Sequence, residues 1–111
     1  MNKIIYTLLT IITFSFISIN ANAETVIGII SCGKWIKQKE INRGSQLVAM
    51  EEWLDGYLSG LAVGSNTDIL KQTDFDSLHL WVNNYCRANP LRNVSDAGVE
   101  LFNELKKQKG L

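Results

Sequence analysis

Two cysteines and one histidine are the residues of this 111-residue sequence with the most evident capacity for covalent or proton-transfer chemistry. Cys32 lies in the run Cys32-Gly33-Lys34-Trp35, of the kind that surrounds some nucleophilic cysteines, and His79 is the base that such a thiol would need. The competing fate of Cys32 is a bond to Cys86, which abolishes the thiolate. Asp74, Asp76 and His79 can also be drawn together as a metal site, yet both aspartates suit the first turn of a helix better, where carboxylates meet the positive end of the helix dipole. No catalytic residue is therefore assigned, the protein is not expected to be an enzyme, and no metal or cofactor is expected.

The fate of the cysteines depends on where the chain resides, and the first residues bear on that. Met1, Asn2 and Lys3 make a short basic start, Ile4 to Ile19 is almost wholly apolar, and Asn20-Ala21-Asn22-Ala23 ends in the A-x-A pattern that signal peptidase cleaves. Residues 1–23 are thus expected to be a removable export signal, with Glu24 as the mature N-terminus. The apolar run is near the lower limit for crossing a bilayer, but no basic stop-transfer cluster follows it, so stable membrane insertion is not expected. Cys32 lies well past the cut and follows no lipobox. The expected location is the periplasm, an oxidising compartment in which a lone pair of cysteines joins, so Cys32 and Cys86 are expected to form a disulfide.

Cleavage leaves residues 24–111, 88 residues that are enough for one domain with a modest core. A domain of this size gains from cross-linking, and closing a loop of 53 intervening residues is expected to contribute about 4 kcal/mol by limiting the unfolded chain. The mature chain carries 10 basic and 11 acidic residues. This near balance offers nothing to attract nucleic acid or an anionic membrane as a whole. The short basic runs at Lys34, Lys37 and Lys39 and at Lys106, Lys107 and Lys109 suit solvated helix surface, and the second also suits a helix C-terminus.

The elements that must carry these groups read as helices. Repeats and low-complexity tracts are absent, and the single proline, Pro90, falls between two helical stretches. The first stretch, about 31–38, places Cys32, Trp35 and Ile36 at helical spacing, and Arg43-Gly44-Ser45 reads as the loop that follows. In the second, about 47–63, Leu47, Met50, Trp53 or Leu54, Tyr57, Leu58 and Leu61 recur three or four apart as one broad apolar face. Gly56, Gly60 and Gly64 interrupt it, each at a cost of up to about 1 kcal/mol against alanine. Close approach of another backbone along the Gly56 and Gly60 face, within the chain or in a homodimer, would offset that cost.

Ser65-Asn66-Thr67-Asp68 opens a polar connection broken by Ile69 and Leu70, which either pin it to the core or form an apolar tip that touches a partner. The third helix starts from Thr73 as N-cap, with Phe75, Leu78, Val82, Tyr85 and Cys86 on its buried side, Trp81 on the flank, and His79 at the edge of the core. Asn93 opens the fourth, with Asp96 three residues on as a near capping box, and Gly110 ends it. Its buried face is Val94, Ala97, Leu101, Phe102 and Leu105. Strand signals are weak throughout. An all-α fold follows, a small bundle of about four helices stapled by the disulfide from the first to the third. Asn93-Val94-Ser95 matches a glycosylation tripeptide, but the bacterial look of the export signal deprives that match of meaning.

Three segments together carry a resemblance: Ser31-Cys32-Gly33; Trp53-Leu54-Asp55-Gly56-Tyr57-Leu58-Ser59-Gly60; and Trp81-Val82-Asn83-Asn84-Tyr85-Cys86, with Asn89-Pro90-Leu91 following. In order and spacing they resemble the Rap1a/Tai family of periplasmic proteins and, more distantly, the HdeA/HdeB acid-stress chaperones. The likeness spans nearly all of the mature chain. It implies a small helical domain with one disulfide. It further implies an immunity protein that binds and inhibits a peptidoglycan amidase delivered by type VI secretion. An HdeA-like chaperone is the alternative it implies. In either case the motif residues belong to the framework and the contacting surface differs between members. Exposed members of Trp35, Trp53, Tyr57 and Trp81 are the aromatic anchors to look for on such a surface, although their spacing favours the core.

Overall fold

Helix starts in this chain are set by short polar side chains that accept backbone N–H groups, and by glycines that turn the chain between helices. The computed structural model describes residues 25–41 and 44–111, so the expected export signal at 1–23 and Arg43 of the first loop lie outside the described residues. Four helices follow in order: α1 Cys32–Ile41, α2 Ser45–Gly64, α3 Phe75–Ala88 and α4 Val94–Lys109. Among the described residues there is no strand, only a single bridge between Ser31 and Asn93. The fold is all-α, and no described helix is long and apolar enough to cross a membrane.

The boundaries show which local groups win. Ser45 belongs to α2 rather than to the loop, because the reversal is made at Gly44, whose φ of +107° a side chain would rarely adopt. The N-cap of α3 is Asp74 and not Thr73. The Thr73 hydroxyl turns back toward the Ile69 carbonyl, leaving Asp74 in extended geometry with its carboxylate accepting from the Ser77 amide at 2.8 Å and the Ser77 hydroxyl at 2.7 Å. Those two Ser77 bonds, the hydroxyl first, hold the Asp74 pKa below the ordinary value of 3.8. For α4, Asn93 is the cap as expected, and Asp96 accepts from its amide at 3.1 Å, the return half of a capping box. Gly110 closes the same helix in the left-handed conformation, with the Leu111 amide bonded to the Lys106 carbonyl at 3.0 Å.

The helices pack as a small bundle: α4 lies against α2 and α3, and α1 lies against α3 and α2. Trp35, Leu54, Leu58, Val82, Val94 and Leu101 fill the interior. Cys32 at the start of α1 is bonded to Cys86 in the last turn of α3, with the Cα atoms 4.8 Å apart. Beside this link, the Cys32 amide donates to the Arg92 carbonyl at 2.9 Å and the Val94 amide to the Ile30 carbonyl at 2.8 Å, so the segment before α1 is seated on the start of α4.

Ile69 is fully buried and Leu70 packs half-buried on the core, so this pair pins the α2–α3 connection instead of forming an apolar tip. Phe75 departs from expectation in the opposite sense. It is 60 % exposed, because at the first position of α3 it lies beyond the end of the buried stripe formed by Leu78, Val82 and Cys86.

The glycines of α2 also correct an expectation. A methyl group added at Gly56, Gly60 or Gly64 would meet nothing within 4 Å, so among the described residues no backbone of this chain approaches that face, and of the two alternatives only the homodimer contact is left as an expectation. The close approach lies at Gly98 in α4, where an added Cβ would sit 2.8 Å from the Tyr57 ring. Gly98→Ala is therefore expected to destabilise the protein by about 1–3 kcal/mol through overpacking. Gly60→Ala is expected to stabilise it by about 0.5–1 kcal/mol through helix propensity and unfolded-state entropy. Urea denaturation of the two variants at low protein concentration checks both signs.

Asp74 gives a pH-dependent expectation as well. Its folded pKa is depressed, so its contribution is present above the unfolded pKa and is lost as pH falls through the folded value. The melting temperature of Asp74→Ala should lie below that of the parent near neutral pH, and the gap should close as pH drops well below 3.8. A gap that persists in strong acid would show that the cap acts without its charge.

Candidate functional site

His79 stands on α3 one helical turn before Asn83 and faces α2, where Glu51 and Asp55 lie one turn apart on the same side. Its Nε2 is 2.8 Å from the Asp55 carboxylate, and its Nδ1 is 3.6 Å from the Glu51 carboxylate. Glu51 in turn accepts from the Lys39 ammonium of α1 at 2.5 Å. One polar cluster thereby joins three helices. The imidazole is only 12 % exposed, lying edge-on to the buried Trp35 ring at 6.3 Å and tilted against Phe75 at 6.5 Å. Lys39 also lies over the Trp35 ring, 5.6 Å from its centroid, so its position is fixed from two sides.

This geometry determines what the histidine can do. Nε2 is hydrogen-bonded to Asp55, which fixes the ring, while Nδ1 lies within ion-pair range of Glu51 but beyond hydrogen-bond distance. The sulfurs that would act as nucleophiles are bonded to each other. Asp74, Asp76 and His79 are not gathered as ligands: Asp74 caps α3, and among the described residues no group of three or more His, Cys, Asp or Glu side chains could hold a metal ion. The cluster acts as a polar joint between α1, α2 and α3.

Above the joint is a shallow groove of about 410 Å³ lined by Lys39, Glu51, Asp76, His79, Leu80, Asn83 and Arg87. Leu80 is 60 % exposed in the middle of it, between an acidic end at Asp76 and a basic end at Arg87. The side-chain amide oxygen of Asn83, Oδ1, is buried without a hydrogen-bond partner. Mixed charge around an exposed leucine suits contact with a protein surface, because charged rims fix register while the apolar centre supplies burial.

Among the aromatic candidates, Trp35 is fully buried and has no exposed face to offer. Trp53 is stacked on Tyr57 with centroids 5.2 Å apart, and its indole N–H donates to the Ile27 carbonyl at 3.2 Å. Gly28, at φ +77°, makes that approach possible, since a Cβ there would lie 2.8 Å from the indole nitrogen. Trp81 is stacked on Tyr85 in the same way at 5.7 Å. The most exposed apolar side chain among the described residues is Leu91, in the turn between α3 and α4, and periodicity gave no notice of it because the turn belongs to no helix. That turn is held by the Asn89 side chain donating to the Tyr85 carbonyl at 2.9 Å and by the Arg92 amide donating to the Asn89 carbonyl at 3.0 Å. The Tyr85 hydroxyl, and then Asp96, hold the Arg92 pKa above its ordinary value.

The joint is measurable. In a double-mutant cycle on Asp55→Ala and His79→Ala, the coupling free energy should be about 0.5–1.5 kcal/mol in favour of folding, the range of one partly shielded hydrogen bond. Urea denaturation of the four proteins gives the value, and a coupling of zero would mean that the pair is adventitious. Comparison of the chain with protein-family models, with curated proteins and with solved structures finds no match.

Proposed function

We propose that the protein is exported to the periplasm and acts there by binding, as an immunity protein that inhibits an amidase effector delivered by type VI secretion. The proposal rests on the sequence resemblance to the Rap1a/Tai family. The observation that carries it from the structure is that the residues best suited to chemistry are committed to holding the fold together. Cys32 and Cys86 are bonded, and His79 is fixed by its Nε2 hydrogen bond to Asp55, with Glu51 in ion-pair range of Nδ1. What is left for function is surface, and that surface offers exposed apolar groups on fixed supports, such as Leu80 on α3 and Leu91 in its braced turn.

The motif residues behind the resemblance are employed as framework. Trp53 and Tyr57 form a stack, and Tyr57 lies against Gly98; Trp81 and Tyr85 form another; Asn89 braces the α3–α4 turn. A framework of this kind leaves the outward-facing residues free to differ from one member to another, which is what recognition of different effectors requires.

A strain lacking the gene is expected to lyse when attacked by a neighbour that delivers the matching amidase, and to recover when the mature protein is supplied to its periplasm. The purified, oxidised protein should co-elute with that amidase and abolish its cleavage of peptidoglycan peptides. Full survival of the deletion strain against every type VI attacker tested would sink the proposal.

A further inference from the structure

The outer face of α3 carries two exposed charges, Asp76 in the first turn and Arg87 in the last, and neither has an ion-pair partner among the described residues. Lys39 and Glu51, on the same groove, neutralise each other instead. Asp76 and Arg87 are close to three full turns apart, so they share one side of the helix at a separation of about 16 Å. Leu80 and Asn83 stand between them, and the four residues follow one another at steps of four, three and four. That spacing is the seam along which two helices pack side by side. Leu80 is 60 % exposed on it, and Phe75 at its start is equally exposed.

This face is complementary to itself. A second copy turned about a two-fold axis through the middle of α3 runs its helix antiparallel to the first and sets Asp76 of each copy opposite Arg87 of the other. Leu80 then lies opposite Asn83 on both sides of the axis, with the two leucines as diagonal neighbours at the centre, and Phe75 falls beside the exposed Ala88. The reverse arrangement is disfavoured, because parallel helices would set Asp76 against Asp76 and Arg87 against Arg87. The charges therefore select both the partner and its direction. The outer side of α2 makes no such choice, since Glu52 is the one exposed charge on that helix and a second copy would bring only another carboxylate.

We infer that the outer face of α3 is a contact between two copies of this chain, paired antiparallel about a two-fold axis. The contact is small. Exposed ion pairs add little each, and the burial comes from one leucine and one phenylalanine per copy, so the dimer is weak, with half-association at about 0.1–1 mM. It does not depend on the inhibitor reading, because it forms without any effector.

The test is sedimentation equilibrium of the oxidised mature protein from about 20 µM to 2 mM, a range that brackets the expected association. Asp76→Arg and Arg87→Asp should each weaken the dimer about tenfold or more, since symmetry counts every substitution twice, and the double variant should recover most of the loss. Leu80→Ser should abolish association. These side chains are exposed, so the fold should survive the changes. Should a reversed charge at a helix end unfold a variant, ¹⁵N amide spectra of the parent protein decide the matter: the amides from Phe75 to Ala88 should shift with concentration, while those from Val48 to Val63 should not. A monomer at every concentration, a dimer indifferent to both single reversals, a double variant no better than the singles, or concentration-dependent shifts centred on α2 would overturn the inference.

Discussion

The bond between Cys32 and Cys86 joins the first residue of α1 to the last turn of α3, and two backbone hydrogen bonds beside it join the same region to the start of α4. A helix of 10 residues such as α1 is too short to persist alone in water, since nucleation is costly and few hydrogen bonds follow it. It exists because its first turn is clamped and because Trp35 is driven into the space between its neighbours. Once α1 is in place, Lys39 is brought to Glu51, and Glu51 and Asp55 together present carboxylates to both ring nitrogens of His79. The covalent link and the polar joint thus hold opposite ends of the same short helix.

Different parts of this arrangement were legible in the sequence to different degrees, and the differences have physical causes. The four helices follow from apolar residues recurring every three or four positions and from cap chemistry at Asn93 and Gly110, signals that are local. The disulfide was legible because only two cysteines occur, so there is one way to pair them. The polar joint was not legible, because Asp55 and His79 are 24 positions apart and each on its own reads as an ordinary helix residue. Thr73 and Asp74 are both good N-caps, and only the turn preceding them decides between the two.

The glycines show the same limit more sharply. Gly56 and Gly60, spaced four apart, promise a close helix contact, whereas Gly98 stands alone in α4 and promises nothing. Yet the isolated glycine is the one under the aromatic ring, and the spaced pair faces outward. Periodicity states which residues share a face but not what that face meets. The answer depends on where Tyr57 and α4 lie relative to each other, and that is a property of the packed bundle alone.

The pairing of distant segments also governs the order in which the chain can mature. Synthesis runs from the N-terminus, so α1 is complete long before residues 86 to 94, which supply its covalent and backbone anchors, have been added. During that interval the Cys32 thiol has no native partner within the chain, and Trp35 has only part of the pocket that will bury it. The earliest segment of the domain is thus among the last to become secure, and the newborn chain depends on its surroundings to keep one thiol unreacted until its partner arrives.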